Sequence, residues 1–251
     1  MKRNKLREGL FILLFWISLW WVLSIIANKF YVPSPLETGK VLVTLLSTSL
    51  TYKILLSSII RVLIALSIGI GLGVGLGILA GMNDMVYKTL QPVIIAIKST
   101  PVVSFIILLI ILVEDAWVPS LCGILLCFPI IYYNVVEGYK MVDTELISMS
   151  TIYKVPFYRK LRKLYLPSTL PYLFAGVLTS IGICWKGTIA AEVIAFINES
   201  VGQQLYDGKV WMDYDHVFAW TVLIIICSLC IEIITKRLIK KVKYYERFKV
   251  I

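Results

Sequence analysis

Apolar and polar positions along this chain do not alternate. Long oily runs at 9–27, 54–81, 86–113, 117–137, 168–195 and 216–238 are separated by short polar stretches. Crossing about 30 Å of hydrocarbon takes about 20 apolar residues in a helix, so each run predicts one transmembrane helix. Lipid cannot satisfy backbone N–H and C=O groups, which leaves only helices or closed barrels as spanning structures. Barrel strands would show inward polar and outward apolar alternation, and these runs do not. The predicted fold class is an all-α integral membrane protein with about six transmembrane helices.

Two segments depart from this pattern. "FYVPSPLETGKVLVTLLSTSL" (30–50) begins with prolines and continues as a mildly amphipathic helix interrupted by Glu37 and Lys40. Such a segment is expected to lie along a membrane surface. "KVPFYRKLRKLYLPSTLP" (154–171) sets five cations and three prolines between two apolar runs. From Phe157, the residues Phe157, Leu161, Leu164 and Tyr165 recur at helical spacing, with Arg159, Lys160, Arg162 and Lys163 opposite. Before it, "DTELISMSTIY" (143–153) reads as a short helix capped by Asp143 or Thr144, with early acids that suit the helix dipole. Pro156 separates the two, because the residue before proline avoids the helical region. The prediction is a helix–kink–helix bracket between helices four and five.

Composition agrees with the pattern. The chain is 59% apolar with mean hydropathy +0.86, against roughly 45–50% apolar for a soluble domain. The net charge of +10 would suggest nucleic acid in a soluble protein, but no interleaved basic and aromatic surface supports that, and no nucleic-acid partner is expected. In a membrane chain, Lys and Arg report topology. Lys2, Arg3, Lys5, Arg7, Lys88, Lys140, the bracket cations and the tail cations Lys236 to Lys249 fall on one side. Only Lys29, Lys40, Lys53 and Lys209 fall on the other. Both termini and the bracket are therefore expected in the cytoplasm. Glu37, Glu114, Asp115, Glu199, Asp207, Asp213 and Asp215 fall on the outer side. The N-terminal run exceeds the roughly 7–15 apolar residues of a signal peptide and lacks a small-residue cleavage site, so it is expected to be retained. The expected division is 1–53 (first helix and outer amphipathic segment), 54–238 (main transmembrane domain) and 239–251 (basic cytoplasmic tail).

Chemistry-bearing residues are few. Cys227 and Cys230 spell C-x-x-C inside an apolar helix with no further ligands nearby, and His216 is the single histidine, so no metal site is expected. "GIGLGVGLGILAG" contains G-x-G-x-x-G, but no strand precedes it. Gly69, Gly73, Gly77 and Gly81 instead form one face that lets helix backbones approach. No G-x-x-x-x-G-K-[ST] is present, so nucleotide phosphates are not cradled by that route. Arg61, Lys98, Lys186 and Glu192 fall at membrane depth, where a charge costs several kcal/mol unless paired or wet. Lys98 and Lys186 either face a solute pathway or, for Lys98, snorkel to an interface.

The bracket, together with "VPSPLE" (32–37), "SSIIRVLIALSIGIGLGVGLGILAG" (57–81), "QPVIIAIKSTPVVS" (91–104), "YYNVVEGYKMVD" (132–143), "LPSTLPYLFAGV" (166–177) and "AAEVI" (190–194), resembles the membrane subunits of bacterial ABC importers. The likeness is to the nitrate, sulfonate, taurine and bicarbonate branch. Their inner loop reads E-A-A, three residues, G, nine residues, I-x-L-P. Here Ser148, Met149 and Ser150 stand for E-A-A, Lys154 for G, and Leu164, Leu166 and Pro167 for I-x-L-P. With Lys154 there, the backbone is expected to be ordinary helix or turn rather than left-handed.

The resemblance implies a non-catalytic permease of the bacterial cytoplasmic membrane, driven by a separate ABC ATPase dimer that carries the ATP and Mg. No cofactor is expected on this chain. It implies a second permease copy or related chain, and a solute-binding protein docked on the acidic outer loops. Glu145, Ser148, Met149, Ser150, Tyr153, Lys154, Pro156, Leu164, Leu166 and Pro167 are the implied ATPase-coupling loop. Arg61 and Glu192 match family positions and are expected in an ion pair. Lys98, Pro101, Trp185, Lys186 and Glu192 are the candidate translocation residues. A small anion such as a sulfonate or nitrate is the preferred solute, with a thiamine precursor or riboflavin as the alternative. A self-contained secondary transporter would need an inverted repeat, and no second copy of the glycine stripe or bracket is present.

Overall fold

The computed structural model describes residues 2–27 and 30–241, the side chains of 2–7 and 10 excepted. The cations expected at Lys2, Arg3, Lys5, Arg7, Lys29, Lys243, Arg247 and Lys249 lie outside the described side chains, as does most of the expected tail. The described elements are the helices α1 (Lys2–Ile26), α2 (Pro35–Ser47), α3 (Ser49–Met82), α4 (Asp84–Ser99), α5 (Val102–Leu112), α6 (Val118–Lys140), α7 (Thr144–Ile152), α8 (Phe157–Lys160), α9 (Leu166–Ile194), α10 (Val201–Val210) and α11 (Tyr214–Lys241). The protein is all-helical among the described residues. Four helices are long and apolar enough to cross a membrane: Ser49–Met82, Asp115–Lys140, Phe157–Ile194 and Tyr214–Lys241. Phe11–Ile26 is a shorter apolar helix, and α4 with α5 qualifies only as a pair.

At the centre is α6, clasped between α3 and α9. Gly69, Gly73, Gly77 and Gly81 of α3 meet Cys127, Ile131, Val135 and Tyr139 of α6 in the same order, so the two helices run in one direction. A methyl group at Gly73 would sit 2.6 Å from Ile131 Cβ, and one at Gly77 would sit 2.8 Å from Val135 Cβ. The stripe is a seam of backbone approach, as its spacing predicts. Gly71 and Gly75 meet nothing within 4 Å. On its other flank α6 runs antiparallel to α9: Gly138 abuts Thr169, and Gly187 abuts Leu126. Buried apolar side chains of all three helices, among them Val62, Cys127, Cys184 and Trp185, share one core.

Three expectations need correction. First, the helix expected over 86–113 is broken. Thr100 (ψ 131°) and Pro101 (ψ 138°) are extended, and α4 and α5 diverge by 104°. Thr100 precedes a proline and leaves the helical region for that reason. Second, the second helix of the bracket is not separate from the next span. Phe157–Ile194 is continuous, and a π-helical turn at Leu161–Tyr165 carries the chain past Pro167. Widening there is a recognised way to absorb the missing N–H and the ring of proline.

Third, Lys154 is left-handed, with φ 50°. Its N–H reaches Thr151 O at 3.0 Å, and the Val155 N–H reaches Ser150 O at 2.9 Å. These two bonds form a Schellman cap that closes α7. Cap geometry, rather than residue type, sets the backbone at this position.

The bracket of α7 and α8 lies at one end of the bundle, beside the ends of α3 and α6. At the opposite end lie the N-terminal turns of α3, the end of α9, and α10. Ser34 and Glu37 form a capping box that starts α2.

Candidate functional site

Among the described residues, Glu192 is the most deeply embedded charge. Its side chain is 0% exposed and receives Arg61 Nη1 at 2.9 Å. Ser58 Oγ donates to its second oxygen at 2.8 Å, and the Gly202 N–H donates to the same oxygen at 3.1 Å. Ser58 Oγ in turn accepts from the Val201 N–H at 3.1 Å. The carboxylate therefore faces the first turn of α10, where free N–H groups and the helix dipole favour an anion. Arg61 Nη1 also donates to Ser57 Oγ, whose hydroxyl reaches Glu199 O at 2.7 Å. Any side chain at Gly202 would collide with Glu192 Cβ. This network ties α3, α9 and α10 at one point. The expected Arg61–Glu192 pair is present. Ser58, Gly202 and α10 itself were not anticipated, although Ser200 followed by Gln203 is a helix-start signal, and Ser200 Oγ accepts from the Gln203 N–H at 3.0 Å.

The bracket has the opposite character. No residue of α7 is buried, and Met149 (54%), Ile152 (76%) and Tyr153 (74%) expose most of their apolar surface. Asp143 caps α7 by accepting from the Glu145 N–H at 2.8 Å. Ser148 and Ser150 return their hydroxyls to Thr144 O and Ile147 O. A groove of about 380 Å³ runs between α7 and α8, and Met149, Ser150, Tyr153 and Leu164 share its lining. Lys160 Nζ donates to Thr151 Oγ1 at 3.1 Å and ties its two walls. Behind the bracket, Tyr139 stacks on Tyr165 with centroids 4.2 Å apart. Ser168 Oγ, just past Leu166 and Pro167, donates to Gly138 O at 3.1 Å. The base of the bracket is thus anchored to α6 and α9 while its tip is bare.

The five candidate translocation residues are not brought together. Trp185 and Glu192 face the chain's own interior. Lys186 is exposed on α9. Lys98 and the adjoining Pro101 stand at the α4–α5 break, where a groove of about 390 Å³ is lined by Lys98, Thr100, Tyr133, Asn134 and Ile183 among others. Among the described residues, no group of three or more His, Cys, Asp or Glu side chains is placed to hold a metal. Cys227 and Cys230 are free thiols.

The family described as the binding-protein-dependent transport system inner membrane component matches residues 73–244. The chain belongs to this family. A Bacillus subtilis (strain 168) protein named as an aliphatic sulfonates transport permease, SsuC, is 25% identical over 123 residues, which are 47% of this chain and 44% of that one. The nitrate import permease protein NrtB of Synechococcus elongatus is 25% identical over 130 residues, 51% of this chain and 46% of that one. The matches thus span less than half the length of these relatives. In structure, 76% of the chain superposes on 95% of a chain from the inward-facing MetNI methionine ABC transporter, with TM-score 0.65 and 16% identity. That likeness concerns the fold.

Proposed function

We propose that this chain is the permease subunit of an ATP-driven importer that passes a small solute across the bacterial cytoplasmic membrane. The observation that carries the proposal is the bracket: a short helix with an uncovered apolar face, on a base anchored to two membrane helices. An uncovered apolar face of this kind suits a protein partner. On this reading, α7 inserts into a cleft of a separate ABC ATPase, which binds the ATP and Mg. The span set is α1, α3, the α4–α5 pair, α6, the helix from α8 through α9, and α11.

The bracket end faces the cytoplasm. Lys88, Lys140, the bracket cations and Lys236 to Lys241 crowd that end, whereas Glu37, Glu199, Asp207, Asp213 and Asp215 lie toward the other. A second permease chain completes the pathway, and a solute-binding protein docks on the acidic end. The names of the matched relatives favour an anion such as a sulfonate or nitrate.

Co-expression with a tagged ATPase tests the reading. Met149→Asp places a charge where it would have to be desolvated in the cleft, at a cost of several kcal/mol if it stays unpaired. The expected result is normal membrane insertion with loss of the ATPase from the purified complex. Equal recovery of ATPase with Met149→Asp and wild type would refute the coupling role.

A further inference from the structure

Lys98 lines an open groove beside the α4–α5 break. Its groove is walled by Leu125 to Asn134 of α6, around the middle of that helix, and by Ile183, near the middle of α9. The Lys98 ammonium stands 5.3 Å from the centre of the Tyr133 ring. Tyr133 itself sits roughly 10 Å short of the end of α6 at about 1.5 Å per residue. Lys98 is itself exposed, so its charge is open to whatever fills the groove.

None of the ion pairs among the described residues includes Lys98 or Lys186. The contrast with Arg61, which has its carboxylate, is plain. A cation set between spanning helices without a counter-charge needs water or an anion, and such residues mark solute paths.

The groove supplies more than charge. Asn134 Nδ2 is committed to Ile130 O at 2.8 Å, which holds the amide in place on the groove wall. The ring of Tyr133 fixes the ammonium by a cation–π contact. Lys186 is one helical turn beyond Ile183 on the exposed side of α9, so a second cation borders the same open face. The groove lies beside the Thr100–Pro101 break, where α4 and α5 part by 104°.

We propose that this groove is a contact site for a small oxyanion, and that Lys98 makes the membrane subunit itself selective for the solute's charge. The proposal rests on the permease reading. It goes beyond it by placing discrimination in this chain as well as in any protein that delivers the solute.

The test uses the assembled complex and two thiol reagents of similar size and opposite charge: sulfonatoethyl methanethiosulfonate (anionic) and trimethylammonioethyl methanethiosulfonate (cationic). Thr100→Cys and Ile97→Cys report from the α4 wall of the groove, on either side of Lys98, with the native cysteines as background. A cleft of one sign concentrates its counter-ions about tenfold or more, so the anionic reagent is expected to react roughly tenfold faster than the cationic one. Adding Lys98→Met should abolish that preference, and Lys98→Arg should keep it. Absence of labelling at both positions in an assembled complex would show a dry groove and overturn the proposal. A preference indifferent to Lys98→Met would overturn it too. Because the readout is labelling, the result stands apart from the ATPase-binding test: loss of the permease reading and loss of the anion site are separable outcomes.

Discussion

The Glu192 carboxylate bonds Arg61 of α3 with one oxygen, at 2.9 Å, and holds the Gly202 N–H of α10 with the other, at 3.1 Å. A single side chain thus fixes the relative placement of three helices. Removing one member of a buried pair strands the other, which typically costs about 3–5 kcal/mol. Arg61→Met is therefore expected to lower stability by about that amount. Arg61→Met combined with Glu192→Gln should recover part of the loss, because the stranded charge is gone. Unfolding of the purified protein in mixed micelles measures both. Additive losses would argue against the coupling.

The seam between α3 and α6 makes a sharp positional prediction. Gly73→Val places two methyl groups where Ile131 already lies 2.6 Å from a single added carbon. Overpacking of this kind costs about 1–3 kcal/mol, more where backbone must shift. A Cβ at Gly71 meets nothing within 4 Å in this chain, so Gly71→Val should leave the folded subunit intact. Parallel thermal melts of the two variants separate the seam from the open face.

At Lys154, the left-handed backbone that ends α7 is held by a residue with a Cβ. Such a conformation costs about 1–2 kcal/mol in a non-glycine residue. Lys154→Gly should relieve about 1 kcal/mol and slow hydrogen exchange in the last turn of α7. Lys154→Val, branched at Cβ, should fray that turn. Faster exchange in the glycine variant would contradict the cap assignment.

Lys186 borders the open face of α9 without an ion-pair partner among the described residues. Lys186→Met is expected to reduce uptake of an anionic solute about tenfold while leaving the amount of assembled complex unchanged, since local counter-ion enrichment scales in that range. Uptake in reconstituted vesicles, normalised to complex recovered, is the measurement. Unchanged uptake would remove Lys186 from the pathway.

Local rules made part of this arrangement readable in advance. Apolar run length placed the four helices that are long enough to span, and four-residue glycine spacing announced the α3–α6 seam. Arg61 and Glu192 stood out because a charge at membrane depth demands a partner. The break at Thr100–Pro101 was harder, because proline also sits inside α4, α6 and α9, as Pro92, Pro129 and Pro171. Which proline ends a helix is decided by what packs around it, and that information is not local. Lys154 misled for a related reason: residue type argues for ordinary backbone, while the two cap hydrogen bonds impose the left-handed one. Ser58 and Gly202 carry no signal of their own and matter only because Glu192 reaches them from a distant part of the chain.

The helix that leaves the bracket at Phe157 and ends at Ile194 runs 38 residues without interruption, roughly 57 Å at about 1.5 Å per residue. Its one end is the exposed bracket, and its other end carries Glu192. Its soft points are the π turn and Pro171, both close to the bracket, and the rest lies against α6. A stiff helix of this length would pass a displacement at its bracket end on towards α10 rather than absorb it as local strain. The bracket and the Glu192 cluster are thus two ends of one continuous helix.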